Sequence, residues 1–311
     1  MHRFFVPPEL LANLAPARGA TTSLSQEPLG NVVAPLAGAR SNLISLPKSL
    51  AHQVRDVLRL HTGEELLLLD NSGDEILAAI ATTSKTAVEV HLLERRPGKS
   101  EPAVRIILCQ GLLKSARFEW VLEKGTELGV SVFSPILFRR SMAGLEDAGP
   151  TKIQRWQRII QEAAEQSGRS RLPELLPIHP LIHALNDIPP NALAIMPWEE
   201  EHALTLHDAL TTSIRPTGNV GATLAVARSS QTPPPARSSQ TPTPAWSPQT
   251  PPPHLPTTIV LFIGPEGGLM PEEVALAQRY GVQVVTLGSR ILRAETAALA
   301  AVANVMYDLG R

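Results

Sequence analysis

Two glycine-bearing segments near the carboxyl end hold the residues best suited to ligand binding and chemistry. Residues 264–268 read GPEGG and follow the apolar run 261–263. The second segment, residues 287–297, contains Arg293 and Glu295. Glycine lets a backbone approach a ligand closely and expose its N–H groups. Two such loops, close in sequence, predict the walls of a small-molecule pocket, although GPEGG taken alone is also typical of a plain tight turn.

The charges of the second segment need a partner. Arg293 and Glu295 stand at the mouth of a helical pattern, residues 297–309, that is almost entirely apolar. A charge next to apolar neighbours is costly unless it is paired, either with the other member of the pair or with a substrate. We therefore take Arg293 and Glu295 as candidate site residues, and the family resemblance given below implies that they are catalytic.

Common motifs for nucleotide and metal chemistry are incomplete. Residues 98–100 read GKS, but Leu93 stands where a phosphate-binding loop requires glycine, and no GxGxxG follows the first strand of the α/β region. His179 and His183 are four residues apart, yet Pro180 disrupts a helix there, so we predict no metal site. The one cysteine, Cys109, lies in an apolar run and predicts a buried core thiol.

Composition indicates a globular protein with room for two domains. The chain has 311 residues, 43% of them hydrophobic, and a formal net charge of −1. This charge argues against a wholesale polyanion binder but allows a local basic face. The first residues lack the apolar core of a signal peptide, and no run reaches the roughly 18 apolar residues of a membrane span. We expect a cytoplasmic protein without a membrane segment.

Short apolar runs alternate with helical patterns from residue 104 onward. The strand candidates are 104–109, 132–138, 192–196, 259–263 and 282–287. This alternation predicts an α/β fold with a parallel sheet covered on both faces. The final pattern, 297–309, is apolar nearly all round, which predicts burial in the core or in a subunit interface.

The amino-terminal part predicts a small β-rich domain. Its strand candidates are 66–69, 76–80 and 87–90, and a short amphipathic helix is expected within 47–60.

Two stretches interrupt the regular patterns. Residues 16–41 have no clear period and are interpreted as a loop insertion. Residues 227–256 contain three tandem proline-rich nonapeptides, which cannot build a core. We interpret them as an insertion between two strands, and the alternative is a ligand for a proline-recognition domain.

Basic residues cluster after two elements of the α/β region. Arg139 and Arg140 follow a strand, whereas Arg169 and Arg171 follow a helix. Each pair is compatible with an ordinary solvated face. A shared basic face is what an RNA substrate would require.

In their order along the chain, these motifs resemble the RsmE-type bacterial 16S ribosomal RNA uridine-N3 methyltransferases of the SPOUT superfamily. The matching segments are 1–5, 57–60 with Gly63, 114–130, 162–167 with Arg169, 173–174, 263–268 and 287–297. Several motifs in family order make the resemblance specific. It implies methylation of N3 of one uridine in 16S ribosomal RNA of the small ribosomal subunit, with S-adenosylmethionine as methyl donor.

The resemblance also implies an architecture. We expect a PUA-like β-barrel RNA-binding domain over residues 1–98. A SPOUT methyltransferase domain would follow over residues 99–311, with a carboxyl-terminal trefoil knot. Such enzymes are typically homodimers, which agrees with an apolar final helix.

Site residues follow from the resemblance position by position. The implied cofactor contacts are Met196, Pro197, Ile263, Gly264, Pro265, Glu266, Gly267, Gly268, Leu287, Gly288, Ile291, Leu292, Arg293, Thr296 and Ala297. The implied RNA contacts are Arg3, Arg59, Lys114, Arg139, Arg140, Arg169 and Arg171. Arg293 would stabilise charge on the uracil carbonyl oxygens, while Glu295 would orient Arg293 or accept the N3 proton.

Three other functions remain open at this level. A SPOUT enzyme acting on another RNA, such as a transfer RNA, would share the same loops. A non-catalytic RNA-binding ribosome-assembly factor would keep the fold without binding the methyl donor. A nucleotide-dependent oxidoreductase lacks its phosphate loop and ranks last.

One departure from the family pattern concerns helix capping. Met270 precedes Pro271 where a capping Ser or Thr is usual, so we expect a modestly weakened helix start.

Overall fold

The computed structural model describes residues 1–11, 42–141, 149–214 and 258–310. The insertions expected at 16–41 and 227–256 lie outside the described residues and stay predictions.

The amino-terminal residues form a five-stranded sheet. Its strands are β1 (His2–Phe5), β2 (Leu43–Ser45), β3 (Glu65–Leu69), β4 (Asp74–Thr83) and β5 (Val88–Pro97), in the order β1-β3-β4-β5-β2. β1 runs parallel to β3, and the other neighbours are antiparallel. Along β5, Val88, Val90 and Leu92 are buried at every second position, as one core-facing side of a strand requires. The predicted strands are confirmed here.

A short helix packs on this sheet. α1 (Lys48–His52) continues into a π-helical turn, Gln53–Val57, and buries Leu50, Ala51 and Val54 against the strands. This confirms the amphipathic helix predicted within 47–60.

The second sheet is parallel throughout its described pairings. Its strands are β6 (Arg105–Gly111), β7 (Val132–Leu137), β8 (Glu174–Leu175), β9 (His179–Pro180), β10 (Leu193–Pro197), β11 (Thr258–Ile263) and β12 (Gln283–Val285). The order is β12-β10-β11-β6-β7-β8, and β9 also pairs with β7.

Helices cover both faces of this sheet, as predicted. They are α2 (Ser115–Glu127), α3 (Pro150–Ser167), α4 (Leu181–Asn186), α5 (Leu206–Ile214), α6 (Pro271–Arg279) and α7 (Ala294–Leu309). Residues of α2, α3, α5 and α7 join the core on one face, and residues of α4 and α6 join the core on the other. α7 buries one stripe, including Ala298, Val302 and Val305, while Tyr307 is 69% exposed. None of the helices in the described ranges is long and apolar enough to cross a membrane.

The carboxylate of Glu101, in the segment between β5 and β6, binds the residues that follow α3. Glu101 accepts a hydrogen bond from Nη2 of Arg169 at 2.8 Å and from the backbone N–H groups of Ser170 and Arg171 at 2.9 and 3.0 Å. Arg169 in turn donates through Nη1 to the carbonyl oxygen of Val130. The segment after α3 is therefore held firmly against residue 101.

The same segment also contacts the first sheet. The Leu172 N–H donates to Oδ1 of Asn71 at 2.7 Å. Glu165 of α3 accepts the N–H of Phe5 at 3.1 Å, and burial raises the pKa of this carboxyl. These contacts tie the β3–β4 turn and β1 to the helical segment.

Burial of Arg169 corrects one sequence expectation. Arg169 is only 4% exposed, and its guanidinium is used by Glu101 and by backbone carbonyls. It does not present a charge to an RNA phosphate. A basic residue in the sequence is normally a surface residue, and its buried partners become visible only in three dimensions.

We predict that Glu101→Ala lowers the free energy of unfolding by about 3 kcal/mol, because it leaves the Arg169 guanidinium buried without its carboxylate. Urea denaturation measures the change. Glu162→Ala serves as control, since Glu162 pairs with Arg158 on the exposed side of α3 and should cost less than about 0.5 kcal/mol. Equal losses in the two variants would contradict the prediction.

Candidate functional site

A cavity of about 500 Å³ opens where β10, β11 and β12 end. Its wall consists of residues from the loops 197–202, 263–269 and 286–294, together with Ala297 of α7. In open parallel sheets, ligands bind beyond the carboxyl ends of the strands. The location therefore agrees with a binding site.

Most of the sequence-predicted cofactor residues lie on this wall. They are Pro197, Ile263, Gly264, Pro265, Glu266, Gly268, Leu287, Gly288, Ile291, Leu292, Arg293 and Ala297. Met196 is instead fully buried in the core on the sheet face covered by α4 and α6. Gly267 and Thr296 are exposed but are not among the lining residues. Whether these residues contact a cofactor stays a prediction.

Several lining residues were absent from the predicted set. Trp198, Glu199 and Arg290 belong to loops that the sequence had already indicated, whereas His202, Leu269 and Thr286 were missed. Thr286 lies there because its N–H donates to the carbonyl oxygen of Leu204 at 2.8 Å, which extends the pairing of two distant segments. No local sequence pattern encodes such a register.

The glycine loop 264–268 packs directly on the end of β6. A Cβ added to Gly111 would lie 2.6 Å from the backbone nitrogen of Pro265, so a side chain does not fit there. On its other side, the loop is held by Arg140, whose Nη1 donates to the carbonyl oxygen of Gly267 at 3.2 Å. Strand β6 and the segment after β7 thus set the position of this wall.

The opposite loop turns at Gly288. Its φ of +111° is a backbone conformation that L side chains rarely adopt, and a Cβ built there would meet no atom within 4 Å. Ile291, in the same loop, is 83% exposed although it is a large apolar residue. This wall therefore offers open space and an uncovered apolar surface to a ligand.

Glu273 connects two of the segments around the cavity. Its carboxylate accepts the N–H of Met270 at 2.9 Å and the N–H of Arg139 at 2.8 Å. The first bond satisfies the N–H of Met270 from within the first turn of α6, as the glutamate of a capping box does, but it does not replace the acceptor that a Ser or Thr would provide. The weakened helix start that we expect from the absence of Ser or Thr at position 270 stays a prediction.

The two candidate catalytic residues lie differently. Arg293 is exposed and lines the cavity. Glu295 is 8% exposed, is not a lining residue, and its Oε1 lies 3.5 Å from Nε of Arg117. The structure thus pairs Glu295 with Arg117 of α2, a residue that the sequence-based prediction did not include.

Arg117 also contacts the glycine loop. Its Nη1 donates to Oε1 of Glu266 at 2.7 Å. The two residues are 149 positions apart in sequence, which explains why no spacing argument revealed the pair.

The predicted RNA-contact residues are dispersed. Lys114, Arg139 and Arg140 are exposed on the α/β part, and Arg140 touches the glycine loop. Arg59 is exposed after the π-helical turn. Two further residues were predicted to contact RNA: Arg171 is exposed beside the β3–β4 turn, and Arg3 is partly buried in an ion pair with Glu75.

The remaining titratable candidates, Cys109, His179 and His183, lie outside the cavity and contact other protein groups. Burial raises the pKa of the Cys109 thiol to about 12, which suits a core residue rather than a nucleophile. His179 stacks on His183, and its Nε2 lies 2.8 Å from Oγ of Ser134. Within the ranges that the structure describes, no group of three or more His, Cys, Asp or Glu residues could hold a metal ion.

The fold is that of an α/β protein, and its candidate small-molecule site is formed by the loops that follow the carboxyl ends of parallel strands. The family model of the RNA methyltransferase domain matches residues 99–223 and 239–306. A Synechocystis protein named ribosomal RNA small subunit methyltransferase E is 30% identical over 262 residues, covering 84% of this chain and 72% of its own length. Its Bacillus subtilis counterpart is 29% identical over 261 residues, covering 83% and 87%.

A solved structure extends the likeness to three dimensions. The ribosomal RNA small subunit methyltransferase E from Neisseria gonorrhoeae, bound to S-adenosylmethionine, has a TM-score of 0.70 and 27% identity. The match covers 100% of this chain and 98% of that one. The chain belongs to the RNA methyltransferase family, among the ribosomal RNA small subunit methyltransferases E.

We predict that Gly111→Ala destabilises the protein by about 1–3 kcal/mol, because the new methyl group would displace the backbone at Pro265. Thermal unfolding monitored by circular dichroism measures the loss. Gly149→Ala is the comparison, since nothing lies within 4 Å of a Cβ added there and its φ is −57°, so its loss should be limited to the small cost of alanine at the N-cap of α3. A Gly111→Ala variant as stable as the control would show that the loop tolerates the intrusion.

Proposed function

We propose that this chain transfers a methyl group from S-adenosylmethionine to N3 of one uridine in the 16S ribosomal RNA of the small ribosomal subunit. The observation that carries the proposal is the cavity at the ends of β10, β11 and β12, lined by the GPEGG loop and by Arg293. The relatives named above support it, because they are small-subunit ribosomal RNA methyltransferases by name and one was solved with this donor.

The cavity fits the donor in size and in chemistry. Its volume of about 500 Å³ falls in the range of roughly 300–1,000 Å³ that is usual for cofactor sites. Leu287, Ile291 and Leu292 supply apolar surface for a purine ring, and the irregular backbone of both loops supplies hydrogen-bonding groups for polar atoms. Glu199 adds negative charge to the wall, which suits a cationic sulfonium ligand.

S-adenosylmethionine, when bound, supplies a methyl group that is already electrophilic because it is attached to a sulfonium sulfur. The task left to the protein is to make uracil N3 nucleophilic, since N3 carries a proton at neutral pH. Arg293 is exposed on the cavity wall, where its guanidinium can stabilise negative charge that develops on the uracil carbonyl oxygens.

Glu295 is better suited to a positioning role than to proton transfer. It lies behind the wall and faces Arg117, so Arg293 is left to meet the substrate from the cavity side. Of the two roles that the sequence allowed for Glu295, acceptance of the N3 proton would require its carboxylate on the cavity wall, and Glu295 is not a lining residue.

We further propose that exposed basic residues contact RNA phosphates. Lys114, Arg139 and Arg140 would do so beside the cavity, and Arg59 and Arg171 would do so near the first sheet. Residues 1–98 would form the PUA-like barrel domain, and residues 99–311 the SPOUT domain. A carboxyl-terminal trefoil knot in the SPOUT domain belongs to the same proposal and rests on the family resemblance.

A homodimer and a cytoplasmic location complete the proposal. The dimer is supported by aromatic surface on two adjacent helices, where Trp120 of α2 is 43% exposed and Tyr307 of α7 is 69% exposed. The location follows from a ribosomal substrate.

Incubation of the purified chain with labelled S-adenosylmethionine and unmodified small subunits tests the proposed function. We expect the label on a single uridine, and mass spectrometry of RNA fragments should locate it on N3. Unmodified transfer RNA is the control substrate. Labelled transfer RNA would favour the alternative RNA target. A chain that binds small subunits but does not bind S-adenosylmethionine would favour an assembly factor.

We predict that Arg293→Ala lowers kcat by about 10²–10³-fold while the Kd for S-adenosylmethionine changes less than about threefold, because the charge is needed mainly in the transition state. Single-turnover kinetics and calorimetry separate the two quantities. Arg279→Ala, an exposed residue of α6, is the control and should leave both unchanged. Unaltered turnover would remove Arg293 from the mechanism.

A further inference from the structure

We propose that Arg117 is a positioning residue that holds the two loops of the donor cavity at their working distance. The inference rests on the proposed function, because the ligand whose site is being held is the methyl donor. Arg117 lies in the first turn of α2, outside both loops, and contacts one carboxylate from each side.

The geometry is that of a bridge. Nη1 of Arg117 donates to Oε1 of Glu266 at 2.7 Å, and Glu266 belongs to the GPEGG loop and lines the cavity. Nε of Arg117 lies 3.5 Å from Oε1 of Glu295. Glu295 stands in the first turn of α7, immediately after the loop that forms the opposite wall. One guanidinium thus connects the two walls.

Burial makes both contacts matter. The side chains of Glu266 and Glu295 are 19% and 10% exposed, so water hydrates them poorly. Oε2 of Glu295 has no hydrogen-bond partner among the described residues. A poorly hydrated carboxylate is costly unless a cation compensates it. Without Arg117, both carboxylates would lose the cation that they share.

The bridge differs from an ordinary ion pair on the same helix. Glu119 of α2 binds Arg155 of α3 through two bonds of 2.7 and 2.8 Å, but neither residue lines the cavity. Both pairs join α2 to a distant segment, so both contribute to the fold. Only the Arg117 pair ends on the loops that would grip a ligand.

The position of Arg117 predicts that its replacement affects donor affinity more than kcat. Arg117 is not among the lining residues, so its loss should disturb the spacing of the walls rather than the chemical step. Donor affinity should fall while kcat at saturating donor is largely kept. Arg293→Ala is expected to show the opposite pattern, which separates a positioning residue from a catalytic one.

The test compares Arg117→Met with Arg155→Met in the full chain. Calorimetry with S-adenosylhomocysteine should show about tenfold weaker binding or more for Arg117→Met and less than about twofold change for Arg155→Met. In the ligand-free protein, amide hydrogen exchange should accelerate in residues 264–268 and 287–293 for Arg117→Met alone. Adding Glu266→Gln to Arg117→Met should recover part of the affinity, because it removes one uncompensated carboxylate.

Two results would overturn the inference. One is wild-type affinity and exchange in Arg117→Met, and the other is an equal loss in both variants, which would reveal a general effect on the fold. If Arg117→Met does not fold, Arg117→Lys carries the same test, since lysine has a single ammonium for two carboxylates. A wild-type chain that binds the ligand but does not methylate small subunits would refute the proposed function and leave the exchange result standing.

Discussion

Parallel pairing of β10 with both β11 and β12 is the constraint on which the site depends. Because the three strands run in the same direction, their carboxyl ends meet at one edge of the sheet, and three loops distant in sequence enclose one cavity. The backbone contact between Thr286 and Leu204 extends this pairing beyond the strands. A shift in the register of these strands would separate the three loops, and the cavity would be lost although its lining residues were unchanged.

Poorly hydrated carboxylates then fix the segments that strand pairing leaves undetermined. Glu101 holds the segment after α3, and Glu273 joins the start of α6 to the residues after β7. Glu266 and Glu295 meet at Arg117. Each of these carboxylates contacts at least one group that is far away in sequence. Removing these charges from water is energetically unfavourable. The contacts nevertheless favour one arrangement of loops that are otherwise irregular.

The two walls of the cavity differ in how tightly they are packed. The glycine loop is packed against Gly111 and Arg140, which holds this wall of the cavity in place. Arg293 and Ile291 remain exposed on the other wall. A packed wall can keep a small ligand oriented, while an exposed wall leaves room for a large substrate to approach.

The sequence by itself determined the local elements and the location of the site. Alternating apolar runs predicted the parallel sheet, and the two glycine segments predicted most of the cavity wall, because strand periodicity and glycine turns are local properties. The tertiary structure alone decided that Arg169 is buried rather than facing RNA, and that Glu295 belongs with Arg117. Burial and ion pairing depend on which distant segments meet, and a guanidinium has the same formula on a surface as in a core.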